Sequence, residues 1–177
     1  MISDFFFQIA GLKELPRSGW KIKIGLNDTE SVAEHSYMMS VMAMVLSDLK
    51  SLDSEKVIKM SILHDWAESK IGDFMPDEIG YDKKSELENY AMIEILESLP
   101  QSLQSNYQDI WNEFLVRETQ EARLVHELDK LEMALQAKIY QKNIETIDNI
   151  EPFLESVKSS ITDEKLKELF TKIIDEK

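Results

Sequence analysis

The chain has 177 residues, of which 43% are hydrophobic and 31% charged, and this length and composition fit one soluble domain with a full core. It contains no cysteine, which excludes disulfides, cysteine-ligated zinc and thiol nucleophiles and fits a reducing cytoplasm. The net charge of −14 disfavours binding to nucleic acid polymers, and neither a membrane-spanning run nor a signal peptide is expected.

Helical periodicity dominates the chain and no alternating strand pattern persists, so we predict an all-α protein. The expected architecture is a compact bundle of about seven helices that forms a single domain over residues 1–177. In chain order, a short aromatic helix is expected over residues 2–10, and a loop marked by glycines and a proline follows to about residue 30.

The second helix is predicted to begin at a capping box, in which the side chains of Ser31 and Glu34 satisfy free N–H groups at the helix start. It is expected to run to about residue 49. Its predicted buried face consists of Met38, Met42, Val45 and Leu49. A third helix is expected over residues 53–69, before Gly72 breaks the pattern.

The second half of the chain predicts three longer helices, over about residues 83–98, 102–116 and 119–142, and a last helix capped by Thr162. The helix over 119–142 carries two adjacent apolar stripes, which is typical of a central and largely buried helix. The residues that carry chemistry fall within 16–142. The C-terminal helices over 145–175 are therefore predicted to be accessory.

Two of the three histidines lie on helix faces that are predicted to be buried. A single histidine on an apolar face is more often a core residue than a ligand, so neither His35 nor His64 indicates a metal by itself. The neighbours of His64 change this interpretation. Asp65 follows it directly, and Glu68 lies one helical turn later on the same face.

Asp129 interrupts an apolar stripe of the most buried predicted helix. A carboxylate there costs several kcal/mol unless another charge compensates it. A buried Lys or Arg is one compensator, although the adjacent Lys130 is expected to face another direction. The other possible compensator is a cation shared by Asp65, Asp129 and the two histidines. This mixed nitrogen and oxygen set suits Mn, Fe, Co, Ni, Cu or Zn.

The order and separation of His35, the pair His64-Asp65, and Asp129 resemble the motif of the HD-domain metal-dependent phosphohydrolases. The surrounding segments are more specific, and they resemble the 5′-deoxynucleotidase branch of that superfamily. The resemblance covers roughly residues 8–142. It is carried by the segments Pro16–Trp20, Glu30–Ser36, His64–Glu68, Ile71–Asp73 and Glu127–Glu132.

The resemblance implies an HD-domain fold and hydrolysis of deoxynucleoside 5′-monophosphates to nucleoside and phosphate. It implies that one divalent metal is held by His35, His64, Asp65 and Asp129. It implies catalytic roles for Glu68, as the carboxylate that handles protons, and for Asp65. It implies that Arg17 binds the phosphate and that Asp73 faces the sugar. It also implies that Trp20 lies near the sugar, where an aromatic residue disfavours a 2′-hydroxyl.

Two other functions remain open from the sequence. One is a different HD-type activity, on phosphodiesters or pyrophosphates, which would need a larger basic pocket than Arg17, Lys21, Lys23, Lys83 and Lys84 provide. The other is a metal-stabilised module that binds a partner without catalysis. The expected partners are a small nucleotide monophosphate and a second copy of the chain. A homodimer is expected because the first helix carries Phe5, Phe6 and Phe7, more apolar surface than so short a helix can bury.

Overall fold

The structure is a computed structural model that describes residues 1–143 and 150–176. These residues form α-helices without any β-strand, which confirms the predicted all-α class. The helices are α1 Ile2–Ala10, α2 Ser18–Ile24, α3 Val32–Lys50, α4 Ser54–Leu63, α5 Glu68–Ile71, α6 Pro76–Ile79, α7 Tyr81–Glu97, α8 Gln101–Val116, α9 Gln120–Asn143, α10 Glu151–Ser160 and α11 Glu164–Asp175. No helix in the described ranges is long and apolar enough to cross a membrane.

Helix α9 is the centre of the bundle, as its two apolar stripes predicted. It packs against α3, α4, α8, α10 and α11. Its side chains are buried on several sides, including Ala122, Val125, Leu128, Leu131, Ala134 and Ala137. A polar residue on one of the buried faces of this helix is therefore enclosed by protein, and it needs a specific partner.

Helix α3 begins as predicted but buries a different face. The Ser31 hydroxyl accepts from the Glu34 N–H at 3.2 Å, and the Glu34 carboxylate accepts from the Ser31 N–H at 2.7 Å. The face that is fully enclosed consists of His35, Met39, Ala43 and Ser47, whereas Val45 and Leu49 are exposed. The prediction was wrong because α3 is apolar on several sides, so periodicity alone could not select the side that packs on α4 and α9.

The bundle has more helical elements than the predicted seven. The predicted third helix is divided, because α4 ends at Leu63 and α5 begins only at Glu68. Between them the N–H groups of Trp66 and Glu68 bond to carbonyls three residues earlier, which tightens the chain into a turn. The predicted loop to residue 30 contains α2, and the predicted break after Gly72 contains the four-residue α6.

The two C-terminal helices complete the core around α9. Val157, Ile161, Leu166 and Phe170 are buried there. The predicted Thr162 cap is wrong, because the Asp163 side chain accepts from the Leu166 N–H at 3.1 Å and so begins α11. Thr162 instead donates from its N–H and its hydroxyl to the Glu127 carboxylate. The first part of the predicted accessory segment, 145–149, lies outside the described residues.

Candidate metal centre

A cavity of about 620 Å³ opens beside the middle of α9, with further walls from α2, α7, α10 and the turn after α4. Its size falls in the range of small-molecule sites, about 300–1,000 Å³. His35 is fully buried behind its wall. The other predicted site residues line it: Arg17, Trp20, His64, Asp65, Glu68, Asp73 and Asp129.

Local hydrogen bonds bring the early part of the chain to this cavity. The Arg17 N–H donates to the Glu30 carbonyl at 2.9 Å, and the Val32 N–H donates to the Leu15 carbonyl at 2.9 Å. These two bonds clip the start of α2 to the start of α3. Arg17 and His35 are therefore neighbours of the cavity although they belong to different helices.

The turn after α4 orients His64. Its Nδ1 lies 2.7 Å from the Ser61 carbonyl oxygen. Because a carbonyl can only accept, Nδ1 carries the proton and Nε2 keeps a lone pair. That Nε2 is directed at the neighbouring Asp65, whose Oδ2 lies 3.1 Å away.

The four predicted ligands lie close together at the cavity. His35 Nε2 lies 3.3 Å from Asp129 Oδ1 and 3.8 Å from Asp65 Oδ2. Ligand atoms of His35, His64 and Asp129 all lie within 4.8 Å of one another. Two atoms held about 2.1 Å from one ion are separated by about 3.0 to 4.2 Å for angles from 90° to 180°. The separations of His35 Nε2 from Asp129 Oδ1 and from Asp65 Oδ2 fall within this range.

Two buried nitrogens at this point need a partner. Over residues 1–143 and 150–176, the Nε2 atoms of His35 and His64 have no hydrogen-bond partner. A buried polar atom without a partner is costly, and a cation satisfies an imidazole lone pair. The chemistry of the donor set therefore fits a divalent transition metal bound by both rings and by the carboxylates of Asp65 and Asp129.

Positive side chains also reach these carboxylates. Arg17 lies 3.5 Å from Asp65 and 3.9 Å from Asp129. The expectation that Lys130 faces elsewhere was wrong, because its flexible stem lets Nζ reach Asp129 Oδ2 at 2.9 Å. Burial alone would raise the pKa of Asp129, but Lys130, His35 and Arg17 outweigh it and hold that pKa well below its ordinary value. Asp129 Oδ2 is thus paired with Lys130, while Oδ1 faces His35.

Glu68 lies in the cavity wall at the start of α5 and is almost fully buried. Burial, and then the charges of Asp65 and Asp73, raise the pKa of its carboxyl well above the ordinary value. Lys84, on α7, lies 3.6 Å from Glu68 Oε1. Glu68 Oε2 has no hydrogen-bond partner among the described residues. The raised pKa favours the protonated carboxyl, and Oε2 remains available for a hydrogen bond.

Asp73 holds the start of α2 against the end of α5. Its carboxylate accepts from the Ser18 N–H at 2.7 Å, and its carbonyl accepts from the Ser18 hydroxyl at 2.6 Å. Arg17, the neighbour of Ser18, is therefore fixed beside the cavity. Asp73 lines the cavity as predicted, and it also organises the segment that carries Arg17.

Trp20 is both a cavity residue and a core residue. It is 2% exposed, and its ring stacks on Phe153 with centroids 4.7 Å apart. Its Nε1 donates to Glu30 Oε1 at 2.8 Å. With that donor occupied, the indole presents only apolar atoms to the cavity.

The sequence analysis assigned no role to two residues of this region, Glu30 and Glu132, and it named Lys84 only as one of the available basic residues. Glu132 is 1% exposed, and its carboxylate lies 2.5 Å from His35 Nδ1. Burial and the charge of Glu132 raise the pKa of Glu30 to about 7. The one available sequence signal was the position of Glu132 in a buried helix, one turn after Asp129.

His126 connects two helices beside the cavity. Its ring stacks on Phe114 at 4.1 Å, and its Nε2 lies 2.8 Å from the Phe114 carbonyl oxygen. Burial lowers the pKa of His126 to about 4. The ring is therefore neutral at physiological pH and joins α9 to α8.

Comparison with known proteins agrees with this geometry. The family model described as HD domain matches residues 9–172. A 5′-deoxynucleotidase HDDC2 from Dictyostelium discoideum is 41% identical over 153 residues, which cover 81% of this chain and 80% of that protein. The 5′-deoxynucleotidase HDDC2 from Homo sapiens is 32% identical over 170 residues, which cover 95% of this chain and 82% of that protein.

A solved structure of a conserved hypothetical protein from Pyrococcus furiosus is similar along nearly the whole chain. It superimposes with a TM-score of 0.77 at 31% identity and covers 97% of this chain and 98% of its own. The match of the family model spans most of the residues, and relatives above 30% identity align over most of the chain. The chain belongs to the HD-domain family, as its motifs predicted.

Proposed function

We propose that this protein hydrolyses deoxynucleoside 5′-monophosphates to deoxynucleoside and phosphate, with a divalent metal held by His35, His64, Asp65 and Asp129. The observation that carries the proposal is the convergence of these four side chains at a ligand-sized cavity, where the buried Nε2 atoms of both histidines have no hydrogen-bond partner among the described residues. The relatives named 5′-deoxynucleotidase support the substrate class.

The metal would be one of Mn, Co, Fe, Ni, Cu or Zn, because the mixed imidazole and carboxylate set accepts each of them. When bound, it supplies a Lewis acid for the phosphoryl oxygens and lowers the pKa of a bound water toward neutrality. Asp65 contributes both a ligand oxygen and a negative charge beside Arg17.

Arg17 is placed to hold the phosphate. Its guanidinium is near the carboxylates of Asp65 and Asp129, so it lies next to the ligand set and lines the cavity. A planar guanidinium binds phosphate through two parallel hydrogen bonds and stabilises the charge that grows on its oxygens. The acidic surface of the protein makes such a local positive group necessary for a dianion to enter.

Glu68 is placed to move a proton. Burial and the charges of Asp65 and Asp73 raise the pKa of the carboxyl, which favours its protonated form. Its Oε2, which has no hydrogen-bond partner among the described residues, can pass that proton to the 5′-oxygen of the departing nucleoside as the bond from phosphorus to that oxygen breaks. Phosphomonoester hydrolysis requires on the order of 20 kcal/mol of barrier reduction, so cation, guanidinium and proton donor are all needed.

Trp20 and Asp73 would contact the sugar. Because the Trp20 Nε1 is occupied by Glu30, the indole offers a 2′-hydroxyl no hydrogen bond. A ribose would bury that hydroxyl unsatisfied, whereas a deoxyribose has none to bury. Asp73 keeps one carboxylate oxygen on the Ser18 N–H and lines the cavity with the rest of its side chain.

The test is phosphate release from a panel of nucleotides with Mn, Co, Mg, Zn or EDTA present. The panel contains deoxynucleoside and ribonucleoside 5′-monophosphates, 3′-monophosphates, triphosphates and cyclic dinucleotides. Glu68→Ala is the inactive variant, and Glu86→Ala, an exposed residue of α7 paired with Lys83, is its matched control. We expect the wild type and Glu86→Ala to release phosphate from deoxynucleoside 5′-monophosphates in a metal-dependent way. We expect no release by Glu68→Ala.

Other outcomes of this panel point to the alternatives. Turnover of triphosphates or cyclic dinucleotides in place of monophosphates would establish a different HD-type phosphohydrolase. Metal binding with no turnover of any phosphate ester would establish a non-catalytic module.

We also infer that two copies of the chain associate and that they do so in the cytoplasm. Two exposed apolar groups support the association: Phe6 and Phe7 on α1, and Tyr37, Val45 and Leu49 on the outer face of α3. Light scattering after size exclusion tests it, with Phe7→Ser expected to shift the mass toward a single chain. Cell fractionation tests the location.

A further inference from the structure

A buried carboxylate lies behind the candidate metal centre, on the side of His35 that faces away from the ligands. Glu132 Oε2 and His35 Nδ1 are 2.5 Å apart, and both side chains are essentially inaccessible to solvent. The two residues come from α9 and α3 and are 97 positions apart in the chain. The other ring nitrogen, Nε2, faces Asp129 Oδ1 at 3.3 Å.

The short distance identifies this contact as a hydrogen bond. Two ligands of one ion lie at least about 3.0 Å apart, because each is about 2.1 Å from the metal. The 2.5 Å between Nδ1 and Oε2 is below that limit, so the group formed by Glu30, His35 and Glu132 does not have the spacing of a second metal site. A carboxylate accepts, so the proton of this bond comes from Nδ1.

We propose that Glu132 is a positioning residue for the metal centre. Glu132 holds a proton on His35 Nδ1 and thereby directs the Nε2 lone pair at the cation. This inference rests on the proposed metal site. The ring is fixed from both ends, by Glu132 on one side and by the metal on the other. A carboxylate at this point also makes the imidazole a stronger ligand, since it stabilises the positive charge that the ring gains on binding.

The cost of burying Glu132 supports this role. A carboxylate that is 1% exposed in the centre of a helical bundle loses several kcal/mol of hydration, and an apolar residue of similar size would pack there without that loss. The bond to His35 returns part of that energy. The equivalent bond of His64 goes to a backbone carbonyl, so His35 is the ligand whose orientation depends on another side chain.

Glu127 provides a matched control on the same helix. It is also a buried glutamate of α9, but its carboxylate accepts from Thr162 and Asp163 and so fastens the start of α11. Glu127→Gln and Glu132→Gln make the same chemical change at nearly the same burial. The charge lost in Glu132→Gln contacts His35, a proposed metal ligand, whereas the charge lost in Glu127→Gln contacts the start of α11.

The first measurement is zinc affinity, by titration of metal-free protein against a competing chelator, for the wild type and both variants. Glu132→Gln is expected to weaken zinc binding by about 10- to 100-fold, the usual effect of removing such a partner. Glu127→Gln is expected to lower the melting temperature and to bind zinc as the wild type does. Unchanged affinity in Glu132→Gln, or equal losses in both variants, would overturn the proposal.

The second measurement is independent of affinity and of activity. In zinc-loaded, ¹⁵N-histidine-labelled wild type, the His35 Nδ1 proton is expected as a downfield resonance slow to exchange, and in Glu132→Gln it moves upfield or is lost. An Nδ1 resonance that is the same in both proteins would overturn the role of Glu132. Failure of the wild type to bind zinc or manganese would overturn the metal site itself, which separates the two failures.

Discussion

The cavity has two sides that are built differently. The metal side, consisting of His35, His64, Asp65 and Asp129, comes from α3, the turn after α4, and α9. Helices α3 and α9 have 19 and 24 residues and are held by the core on most of their length. The side chains of the proposed ligands are therefore fixed by packing, as a metal geometry would require.

The substrate side consists of Arg17, Trp20, Asp73 and Lys84. Apart from α7, which carries Lys84, the helices around it are short. Helix α2 has seven residues, and α5 and α6 have four each. Two glycines with positive φ interrupt this side, Gly72 at +86° and Gly80 at +82°. Its order depends on a few hydrogen bonds, such as those between Ser18 and Asp73. Loss of a proposed metal ligand should therefore stop the reaction, whereas changes on the substrate side should alter selectivity.

The largest expected effect follows from Asp129→Ala. The variant removes one ligand and the negative charge that balances His35 and Lys130. Since the metal supplies several kcal/mol of the barrier reduction, kcat/KM should fall on the order of a thousandfold or more. Metal content after dialysis and phosphate release are the two measurements. Asp109→Ala, an exposed change on α8, is the control, and full metal content in Asp129→Ala would contradict the ligand assignment.

Glu68→Gln should separate catalysis from metal binding. Glu68 lines the cavity, and the amide of glutamine cannot give or take the proton that the carboxyl handles. We expect kcat to fall by about 10²- to 10⁴-fold, with metal content and KM nearly unchanged. Steady-state kinetics and metal analysis on the same preparation test this. Loss of metal together with activity would instead place Glu68 among the ligands.

Trp20→Phe tests the substrate side. The variant keeps the stacking on Phe153 but loses the bond to Glu30, and the smaller ring leaves space for a sugar hydroxyl. We expect the ratio of kcat/KM for deoxyadenosine over adenosine 5′-monophosphate to fall roughly three- to tenfold.

Trp111→Phe is the matched control for this prediction. Trp111 is equally buried and its Nε1 also donates to a side-chain oxygen, that of Asn89, so the change costs a similar hydrogen bond away from the substrate side. Both variants should lose about 1 kcal/mol of stability. A sugar preference that is unchanged in Trp20→Phe would remove Trp20 from substrate recognition.

The same division explains what could be predicted from the sequence. The metal side could be predicted because its residues carry local signals in the sequence. These signals are a capping box before His35, adjacent acidic residues at His64, and a carboxylate within an apolar stripe at Asp129. Such signals depend only on helical spacing. For Glu132 the only such signal is its position in a buried helix, one turn after Asp129. That position does not identify its partner, because His35 is 97 residues away and only the packing of α3 on α9 brings the two together.

The short elements were missed for a related reason. Helix α2 is too short to be stable by itself, and it exists because Trp20 packs on Tyr140 and Phe153 from distant parts of the chain. The turn between α4 and α5 contains no glycine or proline, so nothing local marked it. In α3, apolar residues surround the helix, and tertiary contacts selected the face with Ala43 and Ser47, whose small side chains allow close approach.

The smallest expected effect concerns pH and His126, which joins α9 to α8 near the metal side. Its pKa is about 4 in the folded protein and 6.5 in the ordinary state, so the unfolded chain binds more protons between these values. The unfolding free energy should therefore decrease as pH falls from 6.5 to 4, by on the order of 1 kcal/mol after allowing for solvent at this partly exposed ring. His126→Gln keeps a donor for the Phe114 carbonyl but cannot be protonated. Urea titrations with EDTA present measure the unfolding free energy of both proteins at each pH. The stability of the variant relative to the wild type should rise as pH falls from 6.5 to 4. If the unfolding free energies of the two proteins instead change in parallel with pH, His126 is not held neutral in the folded state.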